Sequence, residues 1–377
     1  MVLLDLSKAF DSIPHNLFID TLRKYKITSQ LLENYLTGRN HLTKIGETMS
    51  DPSNVSFGVP QGSVIGPILF NIYINNIEKF LKQFQNDQID IVLTCYADDT
   101  QILYIPKSEA VNFNELKLFA EKISNKIIIL FGNIKLKTNL SKTQTILLAN
   151  KSQLAKVPDN DRCMTIDNQV IKFSSSANNL GIHYDSLMKF DKHTNIIFRR
   201  IFNSLIYINK RRIFFTYATR KLLVETLAFS QWNYCREVWC NETAKQEEML
   251  EKLLKFGARV VYLKNKRDHT ADLIKDLKWL RVSDANKFGM AVTTYKISNG
   301  LLNPNITPPF QFKFYEGPAR TRSGTNRLII YRPMSKFGER IPSVKAAKLW
   351  ENIPEGTREA SFSNFRQNYK SALLSAM

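Results

Sequence analysis

Two acidic signals about ninety residues apart constrain this chain more than anything else in it. One is Val2-Leu3-Leu4-Asp5-Leu6-Ser7-Lys8-Ala9-Phe10-Asp11; the other is Cys95-Tyr96-Ala97-Asp98-Asp99-Thr100-Gln101-Ile102-Leu103-Tyr104. Each places an aspartate at the end of a short apolar run, where a strand leaves the core. A carboxylate is costly to bury unless something pairs with it. Two such strands side by side would aim Asp5 and Asp98 at a common point and create a need for cations. Magnesium is hard and oxygen-seeking, and it suits a few carboxylates plus substrate phosphates. Asp-Asp is also an ordinary occupant of tight turns. The pairing with Asp5, rather than the turn alone, is what points to phosphoryl-transfer chemistry.

Charge is distributed unevenly. Residues 1–150 hold 15 Lys+Arg against 14 Asp+Glu, whereas the remainder holds 38 against 20. A nearly neutral front half followed by a strongly basic rear half suggests a catalytic core joined to a region that grips a polyanion. Basic surfaces also serve solubility or anionic membranes. With 44% hydrophobic residues the chain is a folded protein, and 377 residues allow two or three domains. Cys95, Cys163, Cys235 and Cys240 are too few and scattered for a disulfide framework, and no His accompanies Cys235 and Cys240 to make a zinc knuckle. A reducing intracellular compartment is the default. No apolar run approaches the roughly 20 residues that span a bilayer, and the N-terminus lacks the features of a signal peptide. A core-strand pattern already begins at residue 2, which suggests that sequence is missing upstream.

Apolar spacing predicts a helix over residues 17–36, with Pro14 near its start, then a hairpin over 42–59. Gly58 to Ile77 begins as a loop rich in Gly and Pro and ends as a helix. Strands over 89–97 and 100–106 flank Asp98-Asp99, and a helix (109–134) and a strand (143–149) follow. The order is that of an α+β domain with a mainly antiparallel sheet. A small strand pair is expected at 164–166 and 170–173. From about residue 186 the pattern turns helical and basic, with helices over 190–210, 220–238 and 247–264 and a helix pair up to Gly300. Pro304, Pro308 and Pro309 punctuate a linker, and residues 310–377 read as irregular until a terminal helix over 362–374.

Taken together, these segments resemble the reverse transcriptases of non-LTR (LINE-type) retrotransposons. Leu3 to Asp11 is similar to palm motif A, Gly58-Val59-Pro60-Gln61-Gly62-Ser63-Val64-Ile65-Gly66-Pro67-Ile68-Leu69-Phe70 to motif B, and Tyr96-Ala97-Asp98-Asp99 to motif C. Asn139-Leu140-Ser141-Lys142-Thr143 resembles motif D, and Asn179-Leu180-Gly181-Ile182 the primer-grip motif E. Ala347 to Pro354 and Phe362 to Leu374 resemble the tail of such elements. The resemblance implies a right-hand polymerase palm (antiparallel sheet with helices) over 1–185, a helical basic thumb over 186–300 and a retrotransposon-type tail over 301–377.

It also implies an RNA-directed DNA polymerase that joins dNTPs to a DNA primer 3′-hydroxyl on an RNA template. Two Mg²⁺ ions, with Mn²⁺ as a substitute, would be held by Asp5, Asp98, Asp99 and the Leu6 carbonyl, Asp99 either binding transiently or shaping the turn. Phe10 occupies the place of a bulky gate against the ribose 2′-hydroxyl; core packing is its plainer role. Gln61 and Gly62 would face the nascent pair and dNTP. Lys142 would protonate or neutralise the departing pyrophosphate, and Leu180-Gly181 would position the primer backbone. Fingers and endonuclease would belong to other portions of the same element, and nucleus and cytoplasm would be its compartments. An alternative is a catalytically inactive, retrotransposon-derived nucleic-acid-binding protein. An RNA-dependent RNA polymerase is a third reading, and a gate as large as Phe10 opposes it.

Overall fold

The computed structural model describes residues 1–240, 243–302, 328 and 341–377, which fall into two compact units, Met1–Met188 and Lys189–Met377. Pro304, Pro308 and Pro309, read as a linker, lie outside the described residues.

The first unit is α+β with antiparallel sheets, as its element order suggests. Its sheet has four strands in the order β4-β1-β3-β2, where β1 is Val2–Leu4, β2 Ile89–Tyr96, β3 Asp99–Pro106 and β4 Gln144–Thr145. All neighbours are antiparallel. β1 sits between β4 and β3, and it buries Val2 and Leu4. Against the sheet and around it pack α1 (His15–Lys24), α2 (Gln30–Leu36), α3 (Gly66–Ile74) and α4 (Phe113–Asn133). Their apolar stripes, including Phe18, Leu22, Leu36, Leu69, Phe70, Ile123 and Ile127, share one core with Ile102 and Tyr104 of β3. α4 starts at a capping box, with Asn112 accepting from the Glu115 N–H while Glu115 accepts from the Asn112 N–H. The buried Tyr104 hydroxyl meets the Ser124 hydroxyl at 2.9 Å, so this polar pair costs the core no unsatisfied group.

Several boundaries differ from the sequence reading. The helix expected over 17–36 is two helices, interrupted where Lys26 takes φ 59. The hairpin is a nested one, Arg39–His41 with Ser53–Val55 and Lys44–Ile45 with Thr48–Met49. The strand expected over 143–149 is reduced to Gln144–Thr145.

The second unit is helical. Its longer helices are α5 (Asp191–Arg211), α6 (Ala244–Val261), α7 (Val282–Ser298), α8 (Pro342–Glu351) and α9 (Phe362–Ser375). α5 buries Ile197, Ile201, Leu205 and Ile208 on one stripe and leaves Arg199, Arg200, Lys210 and Arg211 in water, an ordinary amphipathic division. The helix expected over 220–238 is broken into Tyr217–Leu223, a π-helical turn at Val224–Phe229, Ser230–Asn233 and Arg236–Trp239. α8 falls in a stretch read as irregular. It shares a core with α7 and α9 through Ala291, Tyr295, Trp350, Phe365 and Tyr369, so the described part of the C-terminal region is built onto α7. Among the described residues, no helix is long and apolar enough to cross a membrane.

Candidate active site

The β1–β3 register determines which carboxylates meet. Val2 pairs with Ile102, Leu3 with Gln101 and Leu4 with Thr100, so the ladder ends just before Asp5 on one strand and just after Asp99 on the other. β2 and β3 close with Tyr96 opposite Asp99, which leaves Ala97 and Asp98 as a two-residue turn, Ala97 at φ 52. The sequence reading aims Asp5 and Asp98 at a common point, with Asp99 either binding transiently or shaping the turn. Asp5 and Asp99 line a cleft of about 330 Å³ together with Ser141, Lys142, Gln144, Asn178 and Asn179. Asp98 stands beside this cleft. Partial loss of water, then the Asp98 carboxylate, then Asp5, push the Asp99 carboxyl above the ordinary carboxylate range. The Asp99 carboxyl therefore feels both of the other acids.

Lys142 reaches the cleft through a backbone tether. The Asn139 N–H donates to the Asp5 carbonyl at 2.7 Å, and the Asn139 carbonyl then accepts from the N–H groups of Lys142 and Thr143 at 3.2 and 3.0 Å. Leu6, buried next to Asp5, pairs with Thr138 in a short second ladder that fixes the same crossing.

A second group forms around Phe10. The Ala9–Asp11 turn is held against the loop before α3, with Val59 N–H donating to the Phe10 carbonyl at 2.9 Å and Gly58 N–H to the Ile13 carbonyl at 2.7 Å. The buried His15 donates from Nε2 to the Gly58 carbonyl at 2.7 Å. Gln61 donates from Nε2 to both Asp11 carboxylate oxygens at 2.9 and 3.1 Å. The Phe10 ring stacks on buried Phe70 with centroids 4.6 Å apart. Gly58 has φ +83, and a Cβ there would lie 2.9 Å from the Asp11 Cα; Gly62, at φ +79, has nothing within 4 Å. We expect Gly58→Ala to cost roughly 2–4 kcal/mol, from left-handed strain plus a clash with backbone that cannot swing away. Gly62→Ala should cost about 1 kcal/mol from strain alone. Chemical denaturation of the two variants measures the difference, and equal losses would contradict the packing described.

Leu180 and Gly181 form the two-residue turn of a hairpin between β5 (Ser176–Asn179) and β6 (Ile182–Asp185). Both take positive φ, 48 and 82, which such tight hairpins demand and which is uncomfortable for leucine. The hairpin is tied to the cleft: the Asn179 side chain donates to Gln101 on β3, and Gln144 accepts from the Asn178 N–H at 3.2 Å.

The structure therefore gathers Asp5, Asp99 and Lys142 in one cleft, with Asp98 and the Leu180-Gly181 hairpin adjoining it. It links Phe10 to Gln61 through Asp11. The sequence reading did not single out Gln144, Asn178, His15 or Phe70, and neutral amides and a buried ring carry no signal of their own in a sequence. Among the described residues no Lys or Arg makes an ion pair with Asp5, Asp98 or Asp99. Nor do any three His, Cys, Asp or Glu converge closely enough to cage an ion by themselves. Uncompensated oxygen donors around an open cleft fit a hard divalent ion that leaves coordination positions to substrate oxygens.

A family profile described as reverse transcriptase (RNA-dependent DNA polymerase) matches residues 1–184. Similar proteins include three from Drosophila melanogaster, among them a probable RNA-directed DNA polymerase from transposon BS. It is 25% identical over 244 residues, which is 63% of this chain and 26% of the relative. The RNA-directed DNA polymerase from mobile element jockey is 25% identical over 51% of this chain and 20% of its own length. The probable RNA-directed DNA polymerase from transposon X-element is 23% identical over 66% and 27%. The chain thus spans about a quarter of the length of these relatives.

Proposed function

Residues 1–184 form a reverse transcriptase (RNA-dependent DNA polymerase) domain of the non-LTR retrotransposon kind, and from that premise we propose that the first unit is the palm of an RNA-directed DNA polymerase. It would join a dNTP to a DNA primer 3′-hydroxyl on an RNA template. The observation that carries this reading is the cleft lined by Asp5, Asp99 and Lys142, with Asp98 in the adjoining turn. Two Mg²⁺ ions, or Mn²⁺ in their place, would be held by Asp5, Asp98, Asp99 and the Leu6 carbonyl, supplying Lewis-acid activation of the primer hydroxyl and neutralising the triphosphate.

The chain's own groups do the rest. Lys142, tethered to Asp5 through Asn139, offers a proton and a positive charge where pyrophosphate departs. Gln61, held by Asp11, and the open Gly62 face the nascent pair. Phe10, fixed on Phe70, closes the sugar side. The Leu180-Gly181 turn places the primer backbone, a positioning task without base information. The basic helices after residue 190 serve as a thumb that grips phosphates, and that grip should weaken with salt. Incorporation of dNTPs on a primed RNA template tests the proposal. The basic balance of the remainder after residue 150, 38 Lys+Arg against 20 Asp+Glu, suits one other reading as well, an inactive nucleic-acid-binding remnant. In that case RNA binding persists and no primer is extended.

A thermal measurement separates the metal from the chemistry. Ionisation of Asp99 opposes folding because its carboxyl is held above the ordinary range, so stability falls as pH rises through that window and stays lower at neutral pH. Asp99→Asn should therefore raise the metal-free melting point slightly, by less than ~1 kcal/mol of stability because Asp99 faces water. Millimolar Mg²⁺ or Mn²⁺ should raise the melting point of the unsubstituted protein and leave that of the Asp5→Asn/Asp99→Asn double variant unmoved. A metal shift that survives both substitutions would place the ion elsewhere.

A further inference from the structure

The second unit contains a groove of about 650 Å³ between α5, α6 and the turn that follows α6. Six cationic residues line it and no acidic one: Arg212, Lys252, Lys255, Arg259, Lys264 and Lys266. Its floor is aromatic. Phe198 and Phe202 lie nearly parallel with centroids 6.1 Å apart, and Phe256 adjoins Phe202 at 6.0 Å. Phe202 is 42% exposed, which is unusual for a phenylalanine and leaves ring surface open to a ligand. The cationic rim is braced rather than loose. Arg212 donates to the Lys264 carbonyl at 2.9 Å, Arg259 donates from Nε to the Asp268 carbonyl at 3.1 Å, and Asp268 accepts from the Asn265 N–H at 2.8 Å.

We infer that this groove binds an unpaired nucleic-acid strand, with bases stacked on Phe202 and its neighbours and phosphates against the lysine rim. The ligand must supply dense negative charge and flat π faces together. An acidic peptide supplies only the first. A duplex hides its base faces and offers a backbone alone, whereas a single strand offers both within one groove. The assignment deepens the thumb reading given to the helices after residue 190, yet it rests on no residue of the carboxylate cleft, so it can fail while primer extension stands, and the reverse.

Fluorescence anisotropy of the full chain with labelled U12 RNA and with a 12-base-pair RNA duplex, each across a salt series, tests it. Phe202→Ala should weaken U12 binding about tenfold, the loss of one stacked base, and leave duplex binding within twofold. Phe202→Tyr keeps a ring and should restore U12 affinity, which separates lost stacking from lost folding. Lys255→Glu/Lys266→Glu should weaken U12 binding and lower its salt slope by about 1.4, two phosphate contacts on a single strand. Lys151→Glu, in the first unit, should leave U12 binding unchanged. The inference is overturned if Phe202→Ala leaves U12 affinity intact, if it weakens duplex binding equally, or if polyglutamate displaces U12 as well as unlabelled U12 does.

Discussion

Primer extension on an RNA template should fall by at least three orders of magnitude in Asp98→Asn and in Asp5→Asn, each taken singly. The figure follows from charge. Each substitution removes one of the few anionic oxygens able to hold the ions, and the transition-state stabilisation those ions supply is several kcal/mol. Each 1.36 kcal/mol is a factor of ten, so about 4 kcal/mol gives about a thousandfold. Both changes are isosteric. Asparagine is as comfortable as aspartate in the two-residue turn at Ala97-Asp98. At position 5 the fold is held through the backbone carbonyl that accepts from Asn139, and a side-chain substitution keeps that carbonyl in place. Melting points should therefore hold while activity disappears, and RNA affinity should be unaltered. Extension that persists within tenfold in both variants would sink the two-carboxylate reading. An unsubstituted chain that holds RNA and extends nothing would give the place to the inactive, nucleic-acid-binding reading.

The parts of this fold that were legible in the sequence are those where local pattern and tertiary need coincide. β2 and β3 were read almost to the residue, because eight-residue strands with a polar two-residue turn leave little choice of register. α4 was legible for a similar reason, its apolar spacing beginning near the Asn112 cap. The break between α1 and α2 was not, because no Gly or Pro marks it. Lys26 takes the left-handed position, and the apolar period runs through the gap since both helices bury a face, at Leu22 and Leu36. β4 is shorter than its apolar run because its partner β1 offers only three residues to pair. α8 lies in a stretch read as irregular, although Pro342 sits at its first turn, where the fixed φ of proline favours a helix.

The site divides along the same line. Asp5, Asp98 and Asp99 announced themselves, since a carboxylate that ends an apolar run needs an explanation. Their neighbours Gln144 and Asn178 did not, because strand pairing rather than local sequence brings these two to the cleft. Gln61 and Asp11 are fifty residues apart in sequence, and only the close approach at Gly58 brings their side chains together. Nothing local in either segment encodes that contact.

Phe10 gives the second large effect, in selectivity rather than rate. A gate works only if yielding costs more than excluding, and here the ring has little freedom. It is stacked on Phe70, which is fully buried, and its backbone is clamped by the hydrogen bond from Val59. Displacing the ring to admit a 2′-hydroxyl would forfeit the stack, about 0.5–1.5 kcal/mol, and strain a turn already held at both ends. Phe10→Ala should therefore raise the relative kcat/KM for GTP over dGTP about a hundredfold, the scale on which a pocket tells apart ligands that differ by one hydroxyl. Because Phe10 is only half-buried, the stability loss should stay below the roughly 3–5 kcal/mol typical of a fully buried phenylalanine. Phe10→Tyr keeps a ring on Phe70 and should keep discrimination. Phe70→Leu removes the support and leaves the gate, so it should relax selection part of the way. If Phe10→Ala lowers the melting point while the GTP to dGTP ratio moves less than threefold, the ring is core packing and something else reads the sugar.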